Sequence, residues 1–130
     1  MGRDSPRVLI VEDNAELTNV LRDLLVRDGY QVLTARNGVQ ALIFLTGPAS
    51  AFPDVVVLDI GLPLSSGVTV LDFVRNIMRS RLPVIVLTAS ANAEQEQQLR
   101  KLGISRYLRK PAPLEQVLAA VSDALADRKR

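Results

Sequence analysis

The sequence predicts an α/β fold: a doubly wound, five-stranded parallel sheet in the order 2-1-3-4-5, with five helices. Three observations carry this reading. Short apolar runs alternate five times with stretches of helical periodicity. Three of the runs are apolar throughout, as strands covered on both faces are, while the other two carry polar residues, as edge strands do. The chain has 130 residues, enough for one domain with one sizeable core.

The first strand is "VLIV" (Val8 to Val11), and Leu17, Val20, Leu21, Leu24 and Leu25 follow at helical spacing. Gly29 stops that helix before "YQVLTA" (Tyr30 to Ala35). Val39, Ala41, Leu42 and Leu45 mark a shorter helix. Gly47, Pro48 and Pro53 punctuate the loop that leads into "VVVL" (Val55 to Leu58). Leu71, Val74, Ile77 and Met78 define a third helix, and Pro83 introduces "VIVL" (Val84 to Leu87). The fourth helix, within "ANAEQEQQLRKLG" (Ala91 to Gly103), has only Leu99 and Leu102 as large apolar anchors. A helix that buries little is held weakly, which makes it a candidate moving part; an ordinary solvated helix is the alternative. "ISRYL" (Ile104 to Leu108) is the fifth strand, and Leu114, Val117, Leu118, Val121 and Leu125 form the last helix.

Gln31 and Thr34 place the second strand at one edge, and Ser105 and Arg106 place the fifth at the other. Right-handed crossovers then give the order above, which reverses direction between strands 1 and 3. Ligands of open α/β sheets gather beyond the strand ends at such a switch point. Residues 1–6 read as an extension, 7–126 as the domain, and 127–130 as a basic tail or the start of a linker.

A hydrophobic content of 48% with 23% charged residues is that of a globular domain. With no cysteine and no histidine, the chain excludes disulfides, thiolate or histidine zinc sites, Ser-His-Asp catalysis and its own histidine phosphodonor. No apolar run approaches the ~20 residues of a membrane helix, and the start lacks the apolar region of a secretory signal. Met-Gly opens the chain, but Pro6 stands where a myristoylation site wants Ser or Thr. The net charge is +2, and the terminal "RKR" is too short to predict nucleic-acid binding.

The informative residues are acids at strand ends. Asp59 follows "VVVL", and Glu12 and Asp13 follow "VLIV". Taken singly, Asp59 could cap a turn, Glu12 and Asp13 could sit at a helix N-terminus, Thr88 could end a strand, and Lys110 could be a solvated lysine. Together they are harder to dismiss. Two unit charges ~4 Å apart cost roughly 4 kcal/mol at an effective dielectric near 20. Lys110, ending the fifth strand, supplies one cation, and the remaining negative charge suits Mg²⁺, with a carbonyl available from Gly61. Asp59 is then a plausible nucleophile toward a phosphoryl group, with Mg²⁺, Lys110 and Thr88 around the phosphoryl oxygens.

These segments resemble the receiver domain of two-component response regulators over nearly the whole chain. "VLIVEDN" matches the first strand and acidic pair, and "VVVLDIGLPLSSG" the phosphoacceptor strand and loop, with Pro63 and Gly67 in place. "VIVLTAS" matches the fourth strand with Thr88, and "YLRKP" the fifth with Tyr107, Lys110 and Pro111. The resemblance implies that Asp59 accepts a phosphoryl group from a histidine on a sensor kinase or phosphotransfer protein. It implies Mg²⁺ bound by Asp13, Asp59 and the Gly61 carbonyl, with Glu12 acting through a water. Lys110 would pair with the acceptor and then with the phosphoryl group, before a cis Lys110–Pro111 peptide. Thr88 and Tyr107 would act as switch residues for the face formed by helix 4, strand 5 and helix 5, where Arg106 and Arg109 are either partner contacts or solvated charges. The expected protein is cytoplasmic and not a turnover enzyme. It would act on a downstream protein or a fused output domain, with a phosphorylation-linked homodimer as an option, and would contact neither membrane nor nucleic acid. Leu62, Ala112 and Glu12 depart from the commonest family residues (Met, Phe and Asp).

Three other functions compete. A phosphatase of the haloacid dehalogenase type needs a second Asp where Gly61 stands. A flavodoxin-like cofactor binder, on the same flavodoxin-like topology, wants a phosphate loop where "EDNAEL" is acidic. A degenerate receiver used only for protein contacts would have no need of Glu12, Asp13, Asp59, Thr88 and Lys110.

Overall fold

The structure, a computed structural model, describes residues 5–62, 66–89 and 92–128. Strands β1 (Arg7–Val11), β2 (Gln31–Ala35), β3 (Val55–Leu58), β4 (Val84–Thr88) and β5 (Arg106–Arg109) alternate with helices α1 (Ala15–Arg27), α2 (Gly38–Leu45), α3 (Gly67–Asp72), α4 (Ala93–Leu102) and α5 (Leu114–Arg128). All neighbouring strands are parallel, and the sheet order is β2-β1-β3-β4-β5. The flavodoxin-like doubly wound sheet is therefore as the sequence predicts.

The pleat divides the core into two layers. Leu9, Val11, Val56, Leu58, Val84 and Val86 pack with residues of α2, α3, the turn that follows α3, and α4, among them Ala41, Leu45, Leu71, Val74 and Leu99. Val8, Ile10, Val55, Val57, Ile85 and Leu87 face α1 and α5 through Leu21, Leu25, Val117 and Val121. With both faces covered, the buried stretches Val8 to Val11 of β1, Val55 to Leu58 of β3 and Val84 to Leu87 of β4 carry no polar residue. The edge strands differ: β2 runs from an exposed Gln31 through three half-buried residues to a buried Ala35, and β5 is exposed at both ends.

Hydrogen bonds continue one residue beyond several strands, and this positions the site. Glu12 N–H donates to Ala35 C=O at 3.0 Å, Asp59 N–H to Val11 C=O at 2.9 Å, and Lys110 N–H to Thr88 C=O at 2.8 Å. Glu12, Asp59 and Lys110 are thus rungs of the ladder, held by backbone before their side chains contribute anything.

Some apolar positions of the helical pattern face solvent. Val20, Val39 and Ile77 are all exposed. In α1 the buried stripe runs through Thr18, Leu21 and Leu25, with Val20 just off it. Beyond α3 the chain continues as a π-helical turn, Phe73–Ile77. Its wider winding keeps Val74 in the core and rotates Ile77 out. Asn14, Asn37 and Asn92 cap α1, α2 and α4, each accepting a backbone N–H through its side chain. Pro63 and Ala91 lie outside the described residues.

Helix α3 starts against the backbone that carries Asp59. Gly67 N–H donates to Ile60 C=O at 3.1 Å, and a Cβ on Gly67 would meet the Asp59 carbonyl oxygen and the Ile60 Cα, each at 2.7 Å. At Gly61 a Cβ would meet nothing closer than Asp59 Oδ1 at 3.9 Å. Gly67→Ala is therefore expected to lose about 1–3 kcal/mol of stability by overpacking in urea denaturation. Gly61→Ala should stay within about 0.5 kcal/mol of the parent.

Candidate functional site

The carboxyl ends of β1, β3, β4 and β5 surround a cleft of about 530 Å³ lined by Glu12, Asp13, Asn14, Asp59, Gly61, Thr88, Ala89 and Lys110. Glu12, Asp13 and Asp59 each offer a carboxylate oxygen, and these oxygens lie within 4.8 Å of one another. Glu12 and Asp59 are buried, Asp13 is exposed, and Thr88 is 1% exposed at the end of β4. The strand ends therefore bring together all of the acids, the hydroxyl and the lysine singled out in the sequence.

Lys110 bridges the two buried acids. Its Nζ stands 2.7 Å from Glu12 Oε1 and 3.4 Å from Asp59 Oδ2, so Glu12 is the tighter partner. The second Glu12 oxygen accepts the Asn14 N–H at 3.1 Å, and Asp59 Oδ1 accepts the Gly61 N–H at 3.1 Å. Burial raises the Glu12 pKa above the ordinary carboxylate value, against the opposing pull of Lys110 and the Asn14 N–H. Burial acting alone would lower the Lys110 pKa, but its contacts with Glu12 and Asp59 outweigh that and hold it above the usual lysine value.

One ammonium faces three carboxylates, so the cleft keeps excess negative charge. An all-oxygen set of this kind, open on one side, suits a hard divalent cation that retains several waters. Both oxygens of each buried acid are engaged, those of Glu12 by Lys110 and Asn14 and those of Asp59 by Lys110 and Gly61. The lysine holds Asp59 more loosely, at 3.4 Å against 2.7 Å, which makes Asp59 the readier direct donor of the two beside the exposed Asp13.

Around this cleft, the Lys110–Pro111 peptide is cis. Tyr107 is half-buried against the α2–α4 core layer, and the Arg100 guanidinium lies 5.8 Å from its ring centroid. Arg100 is also paired with Glu96 at 2.9 Å. Arg106 pairs with Asp123 at 2.8 Å on the exposed face of β5 and α5. Arg109 is exposed. Sequence reasoning undervalued Asn14, whose backbone fixes Glu12 while its side chain caps α1 by accepting the Leu17 N–H at 3.0 Å. An Asn immediately before a helical pattern is the signal that points to it.

Residues 8–122 match the response regulator receiver domain family. The transcriptional regulatory protein KdpE of Mycobacterium tuberculosis is 37% identical over 118 residues, 91% of this chain and 50% of that protein, so the chain spans about half the length of this relative. The polar-differentiation response regulator DivK of Brucella anthropi is 33% identical over 121 residues, 92% of this chain and 96% of that protein. Among solved structures, the signal receiver domain of a signal transduction histidine kinase from Syntrophus aciditrophicus aligns with a TM-score of 0.85 and 27% identity, covering 97% of this chain and 94% of that one. The Mn²⁺-bound form of the response regulator Rcp1 aligns with a TM-score of 0.75 and 25% identity, covering 91% and 90%. The chain belongs to the receiver domain family of two-component response regulators. Receiver domains are signalling domains rather than enzymes that turn over an external substrate. Among the described residues, no helix is long and apolar enough to cross a membrane.

Replacing Lys110 by Met leaves Glu12 and Asp59 facing each other without their cation. Breaking such a pair should cost about 2–4 kcal/mol at pH 7, at or just below the usual range because the Lys110 side chain is 22% exposed. A carboxyl whose folded pKa lies above its unfolded value keeps its proton in the folded state at pH values where the unfolded chain has released it. Lowering the pH through that window therefore favours the folded state. Loss of Lys110 widens the window for Glu12, so the deficit of Lys110→Met should narrow as the pH falls from 7 toward the carboxylate range, read by urea denaturation at several pH values.

Proposed function

We propose that this protein is a phosphorylation-dependent signalling switch whose phosphoacceptor is Asp59. The observation that carries the reading is the convergence of Glu12, Asp13 and Asp59 on one open cleft, with Lys110 3.4 Å from Asp59. A phosphohistidine on a sensor kinase or phosphotransfer protein supplies the phosphoryl group. One Asp59 oxygen forms the bond to phosphorus as the phosphorus–nitrogen bond breaks. That bond's electron pair leaves with the imidazole, which then takes a proton from solvent, and an acyl phosphate remains on the protein.

The residues have separate parts in this step. Lys110 shields the Asp59 charge before transfer and pairs with the phosphoryl oxygens after it. Asp13, Asp59 and the Gly61 carbonyl would hold Mg²⁺, with Glu12, the acid that Lys110 holds more tightly, acting through a water. Mg²⁺ bound there would neutralise negative charge on the phosphoryl oxygens. Thr88 donates its hydroxyl to a phosphoryl oxygen, and Tyr107 packs inward behind it. The change then spreads to the face formed by α4, β5 and α5, a two-state response to a local change in charge.

An apolar groove of about 650 Å³ beside the cleft, lined by Leu17, Val20, Ala112 and Leu114 among others, gives the phosphohistidine protein a surface next to Asp59. The small Ala112 side chain keeps it open. We place the protein in the cytoplasm, acting on a downstream protein or a fused output domain, with phosphorylation-linked homodimerisation as one form of output. The relatives offer two arrangements, half of a longer regulator as in KdpE or nearly a whole protein as in DivK. Residues 7–126 are the proposed receiver, with 127–130 as a tail or the start of a linker.

Incubation with Mg²⁺ and acetyl phosphate, followed by intact-mass analysis, should reveal one labile phosphoryl adduct on the wild type and none on Asp59→Asn. A wild type that stays unmodified with every donor tried would leave only a contact module. Mg²⁺ alone should raise the melting temperature of the wild type. At a hundred times the dissociation constant the gain is about 2.7 kcal/mol. Asp13→Asn should lose most of that gain while keeping the fold.

A further inference from the structure

Helix α4 is held very unevenly. Residues 92–94, 97, 98, 100 and 101 are exposed and 95 and 96 half-buried, so the one fully buried side chain of the helix is Leu99, near its C-terminal end, supported by the half-buried Leu102. Just beyond the helix, Gly103 has φ +105°, a left-handed conformation that glycine adopts without strain, and its N–H closes the last turn on Leu99 C=O at 2.9 Å. Two residues later Ser105 N–H joins the sheet through Val84 C=O at 2.8 Å.

This junction is gripped from another element. Arg75, on the π-helical turn after α3, donates to Gly103 C=O through Nε at 3.1 Å and through Nη2 at 2.9 Å. Its Nη1 donates to Ser80 C=O at 2.8 Å, in the loop that enters β4. A half-buried guanidinium therefore fastens two loops to one point, in a fork geometry that an ammonium cannot copy. Its positive charge also lies at the negative end of the α4 dipole. A Cβ at position 103 would stand 3.4 Å from Arg75 Nε, so the glycine also leaves the guanidinium its place.

We infer that Arg75 is a positioning residue of the switch: it fixes the C-terminal end of α4 as a pivot, so that movement started at the cleft is confined to the helix's N-terminal turns. The inference rests on the switch reading above. Thr88 and the start of α4 lie on the side of the cleft, and Gly103, Arg75 and the entry to β5 lie at the other end of the helix. With one end clamped and the other weakly packed, a push at the weak end tilts the helix and leaves its last turn in place. Tyr107, a few residues past the clamp, then keeps its backbone while its side chain changes environment.

Hydrogen–deuterium exchange with and without Mg²⁺ and beryllofluoride, a non-covalent mimic of the phosphoryl group, tests this. In the wild type, the mimic should alter exchange at residues 92–98 and around Asp59, and leave 99–105 unchanged. Arg75→Met keeps an unbranched apolar stem but removes the guanidinium and its donors. In that variant the mimic-dependent change should extend through 99–105, with roughly tenfold faster exchange there in the bound state, as expected when a charged hydrogen bond is lost. Arg75→Lys keeps the charge without the fork and should fall between the two. A purely structural role would speed exchange equally with and without the mimic and leave the pattern of change as it was. That result, or a wild-type change spread evenly over 92–105, would overturn the pivot. Absence of any change around Asp59 in the wild type would instead overturn the switch reading, and the pivot with it.

Discussion

The contact on which the site depends is the Lys110 ammonium between Glu12 and Asp59. Two buried carboxylates at one sheet edge are tolerable only with a cation between them, and desolvation makes the requirement stricter. The backbone supplies that cation at the right place. The bond from Lys110 N–H to Thr88 C=O extends the β4–β5 ladder by a rung, as the bond from Asp59 N–H to Val11 C=O extends β1–β3. Sheet register thus sets the spacing of the charges. The uneven sharing, with Glu12 closer than Asp59, means that the acceptor proposed here is the more loosely held of the two acids. A loosely held carboxylate has less to give up when it forms a new bond.

Around this centre the two core layers have different tasks. The layer under α1 and α5 lies beside the groove next to the cleft, while the layer under α2, α3 and α4 contains Tyr107, Leu99 and the half-packed fourth helix. On the proposed reading, chemistry at the strand ends would be sensed on one side while a partner occupies the other. Arg75 stands on the side of α3 and α4 and is not among the residues that line the cleft.

Much of the fold was legible because covered parallel strands leave a plain signal. Val8 to Val11, Val55 to Leu58 and Val84 to Leu87 have no polar interruption, and the acids that follow Val11 and Leu58 could only lie at the sheet edge. The polar residues of β2 and β5 correctly marked the edges. Helix faces were less legible. Periodicity assumes regular winding, and the π turn at Phe73–Ile77 breaks that assumption, so Ile77, which shares the apolar spacing of Leu71 and Val74, is exposed. Val20 and Val39 mark their helices correctly but lie off the buried stripes, which run through Thr18, Leu21 and Leu25 in α1 and through Gly38, Ala41 and Leu45 in α2. In the site, residue types and order were readable, but partner choice was not. Nothing in the spacing of Glu12, Asp59 and Lys110 says which acid the lysine prefers, because that depends on side-chain reach at about a half-ångström scale. The grip of Arg75 on Gly103 spans 28 positions and has no local signature.

The extra rungs beyond the strands have an evolutionary corollary. Because main-chain bonds place the reactive groups, the helices' outer surfaces can diverge without moving the chemistry. A lineage can exchange its exterior residues, and so its conversation partners, while inheriting the interior edge unchanged. Divergence to about a third identity with KdpE and DivK, at nearly full domain coverage, is what such a separation of duties permits.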